Sequence, residues 1–576
     1  MKVSDYIVEY LISKGVKHVF GYPGGMVTHL MDSFSKYEGE IAAHVTYNEQ
    51  GAAFAACGYA QESGNIGVAY ATSGPGATNL ITGICDAFFD SIPTLFITGQ
   101  VNTNELKGEY GVRQRGFQET DIISMVDSVT KYAAQVEDAA KIKYYLDKAI
   151  HEAMDGRRGP SLLDIPMNIF REDVDVDSLE GYIVSAKSKE SVNVSEIIRA
   201  LDGAKAPTLI IGNGVKTADA KNEIRELVDI LGIPAVTSMI SVDAISNSEY
   251  NYGFIGAYGD RKANFVVAKS DLVISIGARL DIRQVGAKRE NFAKDATIIR
   301  IDIDAGELEY KVHEDEIQIK ADLKDVISEL KKVAEGKGYR AKFANWIKVA
   351  DILREKLSGM DDRLPNKLVA AISEYIPANS IVTTDVGQNQ VWVAQSFRQK
   401  YNQRMYFSGG HGAMGYSLPA SIGCQLASGE KTYCFTGDGG LQMNIQELMT
   451  VAREQLPVKV ITFNNNALGM IRHFQEMYFD NNYYQTVPAG GFVSPNFENI
   501  AKAYGMAYVK VSSVEDIQSI DKDILTNDKP AFIEVVINEN TYVFPKLEFG
   551  KPNQDQEPLI DRALFNELME LNVGNV

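Results

Sequence analysis

The stretch TYCFTGDGG followed by LQMNIQELMTVAREQLPVKVITFNN, turning at Gly437 and ending at Asn465, constrains the chain most. A short apolar strand enters a Gly-Asp-Gly turn, an amphipathic stretch follows, and a second apolar strand ends in paired asparagines. That pattern is one β-α-β unit. Asp438 leaves the first strand and Asn465 leaves the second, at the same edge of a parallel sheet. Such sheets receive ligands outside the carboxyl ends of their strands, so a carboxylate and an amide oxygen meet where a hard cation can sit. Magnesium fits that ligand set. The glycines let backbone approach a phosphate, and a helix starting near Met443 would aim its free N–H groups and positive dipole end at it. Alone, a Gly-Asp-Gly turn is also ordinary turn chemistry.

A chain of 576 residues exceeds one hydrophobic core and suggests about three domains. A net charge of −19 disfavours nucleic-acid or anionic-membrane partners, which such a surface repels. MKVSDYIVEYLISKG reads as an amphipathic helix without a signal-peptide pattern, and no apolar run reaches spanning length, so a cytoplasmic location and no membrane partner are expected. Cys57, Cys85, Cys424 and Cys434 stand among apolar neighbours and read as buried thiols. The seven histidines show no metal-ligand spacing, so no transition-metal site is assigned.

Helix and strand signals alternate through residues 1–172, including a helix expected from Met26 to Phe34 and another from Asn48. A charged linker, REDVDVDSLEGYIVSAKSKESVN, follows. A second α/β set spans 193–335, with strands TLIIGNG, PAVTS, LVISIGA and TIIRIDID. Residues 336–363 read as a polar, helix-prone connector, and a third α/β set occupies 364–545. The expected class is α/β, with three successive parallel-sheet domains and a C-terminal segment at 546–576. Glycine turns at Gly212–Gly214 and Gly277 lie where nucleotide phosphates are received, although any open α/β domain needs glycines there.

GDG followed by NN resembles the thiamin-diphosphate signature of decarboxylases, transketolases and acetohydroxyacid synthases. The ordered set YPGG, YNEQGAAFAACGYA, ATSGPGATNLITGICDAFFDSIP, ITGQV, GFQET, TTDVGQ, GAMGYSLPA, GDGGLQMNIQEL and NNNALGM resembles the catalytic large subunit of acetohydroxyacid (acetolactate) synthase. The resemblance implies a pyrimidine-binding first domain, a central domain of the FAD type, and a diphosphate- and magnesium-binding third domain. It implies that Asp438, Asn465 and the Ala467 carbonyl hold magnesium. Val386, Gln388, Asn389, Gly437, Gly439, Gly440, Asn464 and Leu468 would surround thiamin diphosphate on the diphosphate side, although the family usually has His where Asn389 stands. Met414 would prop the cofactor and the Gly412 carbonyl would take its amino group. Glu49 matches the carboxylate that activates the aminopyrimidine, although it also stands where an acid favours a helix start capped by Asn48. Gly25, Phe117 and Gln118 would face the reacting centre. Arg157, Gly212, Gly256, Gly277, Arg279 and Asp302 stand where FAD contacts are expected, and Arg283 in GARLDIR of the central domain matches the arginine that binds an acceptor carboxylate. A dimer or tetramer with shared sites is implied, and a small regulatory subunit is a further expected partner.

The implied reaction is decarboxylation of pyruvate and transfer of the two-carbon hydroxyethyl unit to a second 2-keto acid. Departures cluster at the acceptor end: DIPMN puts Met167 in place of a lysine, GAYGD gives Ala257 and Tyr258, Ile282 replaces an acid, and Phe474 replaces a tryptophan. They keep open a different carbonyl acceptor, such as a keto-sugar nucleotide used in branched-sugar synthesis. A simple decarboxylase leaves Arg283 without a use. A non-catalytic cofactor-binding protein predicts loss of Glu49, Asp438 or Asn465, and all three are present. VFPKLEFGKPNQDQEPLID reads as a lid, a partner-facing arm or a disordered tail.

Overall fold

The computed structural model describes residues 1–184 and 192–576. Three six-stranded parallel sheets lie in succession. The first contains β1 (His18–Gly21), β2 (Ala42–Val45), β3 (Gly67–Ala71), β4 (Thr94–Gln100), β5 (Tyr132–Gln135) and β6 (Pro160–Pro166), in the order 2-1-3-4-6-5. The second contains β7 (Pro207–Ile211), β8 (Ala235–Thr237), β9 (Asn251–Phe254), β10 (Leu272–Ile276), β11 (Thr297–Asp302) and β12 (Ile317–Lys320), in the order 12-11-10-7-8-9. The third contains β13 (Ile381–Thr384), β14 (Arg404–Phe407), β15 (Thr432–Gly437), β16 (Val458–Asn464), β17 (Ala507–Val511) and β18 (Ala531–Val536), in the order 14-13-15-16-18-17. The first and third sheets therefore share one strand order, a structural duplication that the sequence does not show as a repeat. Helices cover both faces of each sheet, which is why central strands such as β3, β4 and β7 are buried at every position.

The first and third domains pack through the helices Glu49–Ser63 and Ser417–Ser428. Gly58 and Gly423 let these helices cross at backbone distance, because a side chain at either would strike the backbone of Ala420 or Ala55. One apolar cluster then includes Ala52, Ala55 and Phe96 from the first domain with Leu418, Leu448 and Phe532 from the third. Cys57, Cys424 and Cys434 are buried, while Cys85 is partly exposed.

Several expectations need correction. The first-domain helix runs Thr28–Lys36 after a 3-10 turn at Gly25–Val27. Within the expected linker, Leu179 belongs to the first-domain core and Val174 N–H donates to the Met1 carbonyl, so that part is attached. Residues 185–191 of the linker lie outside the described residues. The stretch 336–363 is more than a polar connector: the helix Ala344–Leu357 buries Trp346, Val349, Ala350 and Leu353 against the central sheet. Its apolar residues fall at helical spacing on one face, and Trp346 donates its indole N–H to the Pro207 carbonyl at 2.9 Å.

The C-terminal segment is likewise packed rather than loose. Leu547 N–H donates to the Ala257 carbonyl at 2.7 Å, and the buried Arg261 pairs with Asp361 while donating to the Gln556 and Pro558 carbonyls. The helix Arg562–Glu570 closes the segment against the central domain through Leu568. Among the described residues, no helix is long and apolar enough to cross a membrane.

Candidate active site

In the third sheet, β13 and β15 are neighbours from which the chain winds in opposite directions, so a crevice opens between their carboxyl ends. Asp385 follows β13 and Asp438 follows β15. Asp438 is buried; its Oδ1 accepts Gly439 N–H at 2.8 Å and its Oδ2 accepts the Ser494 hydroxyl at 2.8 Å. Burial pushes its carboxyl up to about 6, against the pull of those donors and of the Asn466 and Ala467 backbone N–H groups. Asn465 leaves β16 beside it, and Asn466 turns the chain through φ 50°, which asparagine tolerates, so that Ala467 N–H donates to Asn465 Oδ1. Asp438, Asn465 and Ala467 are therefore gathered at one point. Next to them Asn465 Nδ2 donates to Gln388 Oε1, and Gln388 Nε2 is buried without a partner among the described residues. A buried, destabilised carboxylate, an amide oxygen and an orphaned N–H donor therefore meet at this edge of the sheet.

The helix after Gly437 begins at Asp438, not near Met443. It ends at Met443 because Asn444 leaves helical geometry and donates Nδ2 to the Gly415 carbonyl at 2.9 Å; the 3-10 turn Ile445–Glu447 and the helix Leu448–Arg453 follow. The expected single amphipathic helix is thus three pieces, and its break steadies the loop that carries Met414. At Gly439 an added side-chain carbon would meet Leu468 and lie 3.4 Å from the Met414 methyl, so these three converge. Gly412, at φ 70°, faces open space, and Gly440 passes close to Asp385. The Val386 N–H is taken by Asp385, and Asn389 donates to the Asp385 carbonyl. Asn464 turns away, to Glu534 and to Asn466 N–H.

In the first domain, Glu49 opens the helix that Asn48 caps through Gln50 N–H. Its Oε2 accepts from Asn79 Nδ2 at 2.9 Å. Gln118 holds φ 66° against Gly74, Gly25 is exposed, and Phe117 is 79% exposed. No hydrogen bond of Glu49 reaches Gly412, Met414 or Asp438 among the described residues.

The central sheet reverses its winding between β7 and β10, where Gly212 and Gly277 end the strands. A cavity of about 370 Å³ opens there, lined by Gly277, Arg279, Asp302 and Arg283, by Asp90 and Arg157 from the first domain and by Gly409 from the third. Gly212 lies behind it, letting the two turns pass, and Gly256 is tied to Asn264. Arg157 pairs with Asp304 and Glu307, and Arg279 with Asp281 at 2.9 Å. Burial pushes the Asp302 carboxyl up. The exposed Arg283 side chain has no hydrogen-bond or ion-pair partner among the described residues.

Sequence reasoning passed over four residues. Asp385, fully buried and pushed to about 6 by burial, accepts Val386 and Gly415 N–H groups and the Thr436 hydroxyl. Glu447 accepts Tyr47 and Asn48 N–H groups, which joins the third domain to the turn before Glu49; burial pushes it to about 7. Asn79 and Asn444 complete the set. The strings TTDVGQ and QEL contained the two acids, but Gly415 and Thr436 lie 30 and 51 residues from Asp385, and Tyr47 and Asn48 lie 400 and 399 residues from Glu447.

Residues 1–125 match the thiamine pyrophosphate enzyme N-terminal TPP binding domain, 194–330 its central domain, and 385–535 its C-terminal TPP binding domain. The chain is 35% identical to the acetolactate synthase large subunit of Lactococcus lactis subsp. lactis, over 95% of this chain and 94% of that protein. It is 34% identical to the acetolactate synthase isozyme 2 large subunit of Escherichia coli, over 96% and 99%. The chain belongs to the acetolactate synthase large-subunit family. It is thereby a thiamin-diphosphate-dependent enzyme that joins carbon to carbon.

Within this acetolactate synthase fold, the positions that depart from the family pattern are partly gathered. Ala257 and Tyr258 line the central cavity beside Arg283, and the Tyr258 phenol is pushed up by burial, with Arg283 opposing and Tyr478 adding to the shift. Tyr478 in turn packs on Phe474 at 4.7 Å between ring centroids, and Phe474 is 50% exposed. Ile282 points to solvent, and Met167 begins the short helix after β6.

Proposed function

We propose that the protein decarboxylates pyruvate and transfers the two-carbon hydroxyethyl unit to a second 2-keto acid, giving a 2-acetohydroxyacid. The observation that carries this reading is the free Arg283 guanidinium, in a thiamin-diphosphate fold, at the cavity edge next to Tyr258. A planar fork without a partner suits the carboxylate of a keto acid. Thiamin diphosphate, when bound, supplies the electron sink for decarboxylation. Asp438, Asn465 and the Ala467 carbonyl would hold Mg2+, and Gln388 Nε2 would donate to the diphosphate. Glu49, steadied through one oxygen by Asn79, keeps the other to hold a proton at the pyrimidine nitrogen. FAD would occupy the central cavity, where the winding of the sheet reverses. Glu49 and Phe117 would act across an interface with a second copy, and a small regulatory subunit is the further partner implied by relatives named large subunits.

A second reading, a keto-sugar nucleotide as acceptor, is favoured by the small Ala257 and by the Tyr258 hydroxyl, which has no hydrogen-bond partner among the described residues, at the cavity. Purified protein with thiamin diphosphate, Mg2+, FAD and pyruvate should release carbon dioxide and form 2-acetolactate, read as acetoin after acid treatment. Asp438→Ala should abolish both. Carbon dioxide release with acetaldehyde as the only product would reject the keto-acid acceptor.

A further inference from the structure

One short loop, residues 408–414, stands between the two ligand sites. Asp90, 6% exposed at the end of the helix Ile81–Phe89, grips it with both oxygens: Oδ2 accepts Gly409 N–H and Oδ1 accepts Gly410 N–H, each at 2.7 Å. One turn earlier, Asp86 Oδ1 accepts the Ser408 hydroxyl at 2.5 Å, and that hydroxyl accepts Ala413 N–H at 2.9 Å, which closes the loop. Phe89 stacks on His411, with ring planes 10° apart. From the central domain, Ile240 packs so closely on Gly409 that an added side-chain carbon would lie 2.7 Å from it.

One side of this loop lines the central cavity through Gly409 and Gly410, beside Asp90. Its far end carries Gly412 and Met414, and Met414 faces Gly439 of the diphosphate side. Arg279, which also lines the cavity, acts electrostatically on Asp90. Asp90 and the glycines it grips line the cavity, so a ligand there lies against the clasp of the loop that carries Gly412 and Met414.

We propose that Asp90 is a positioning residue that couples the two sites, so that a flavin dinucleotide in the central cavity organises the 408–414 loop for thiamin diphosphate. The inference rests on the reading of the central cavity as a flavin site. Two parallel N–H donors need a bidentate acceptor. An asparagine at position 90 offers one oxygen, and its NH2 faces the other N–H, so one grip is lost with little change in volume. Coupling between binding sites is reciprocal, and each ligand must tighten the other by the same factor.

The test is calorimetric titration of the full chain with thiamin diphosphate in saturating Mg2+, with and without saturating FAD, and the converse titration. The wild type should show tightening of about tenfold, within the usual range for coupled sites, and the same factor in both directions. Asp90→Asn should bind each ligand alone but show less than about twofold coupling. Phe89→Ala, which loosens the same loop without touching the Asp90 grip, should lower the factor too and stands in if Asp90→Asn does not fold. Binding of both ligands to the wild type without coupling, or full coupling retained in Asp90→Asn or, in its place, Phe89→Ala, overturns the proposal alone. No FAD binding to the wild type overturns both the proposal and the flavin reading beneath it.

Discussion

Gln388 and Asn465 meet amide to amide: Asn465 Nδ2 donates to Gln388 Oε1 at 3.4 Å, and Gln388 Nε2 is buried without a partner among the described residues. A buried donor without an acceptor is costly in the ligand-free chain, and a diphosphate oxygen would relieve it. Gln388→Leu should therefore weaken thiamin diphosphate binding by about tenfold, one hydrogen bond to a charged group, with little loss of thermal stability. Unchanged affinity in a calorimetric titration would remove Gln388 from the cofactor site.

Glu49→Gln should leave cofactor binding intact and lower turnover by at least about a hundredfold, the usual worth of an acid–base group. Asn79→Ala should do less, because it frees Glu49 without deleting the proton carrier. Near wild-type rates in the Glu49→Gln variant would mean that the residue only starts a helix.

Glu447 predicts a pH effect on stability. Burial lifts its folded-state value to about 7, above the ordinary 4.5 of an unfolded chain. The ionised form is thus disfavoured in the fold, so its penalty is absent below about pH 4.5, grows as pH rises, and is complete above about pH 7. Glu447→Gln should gain on the wild type by roughly 3 kcal/mol across that window and stay level beyond it. Urea melts of both proteins at several pH values give the difference, and a flat difference would show that Glu447 does not titrate there.

Arg261 pins the C-terminal segment. Replacing it by Met strands Asp361 and the Gln556 and Pro558 carbonyls and should cost about 3–5 kcal/mol. Limited proteolysis should then cut near Phe549, which is 89% exposed, sooner than in the wild type. An unaltered cleavage time course would mean that other contacts hold the segment.

Much of the third-domain site was legible because its chemistry is local to strand ends: Asp438, Asn465 and Ala467 lie within two turns of one β-α-β unit, and a parallel sheet brings those turns together. The helix break at Asn444 was not legible, because a tertiary bond to Gly415 decides it. The helix Ala344–Leu357 carried its signal in the spacing of Trp346, Val349, Ala350 and Leu353, which the charged residues around it masked. Arg261 and Asp90 gave no local sign at all, since every partner of theirs named above lies far along the chain.

The most direct measurement is NMR of the protein supplied with thiamin diphosphate, Mg2+, FAD and carbon-13 pyruvate. Free Arg283 beside the cavity predicts labelled 2-acetolactate as the main product, with carbon dioxide released in step. Labelled acetaldehyde as the main product, or pyruvate left unused until a keto-sugar nucleotide is added, would contradict transfer to a second keto acid.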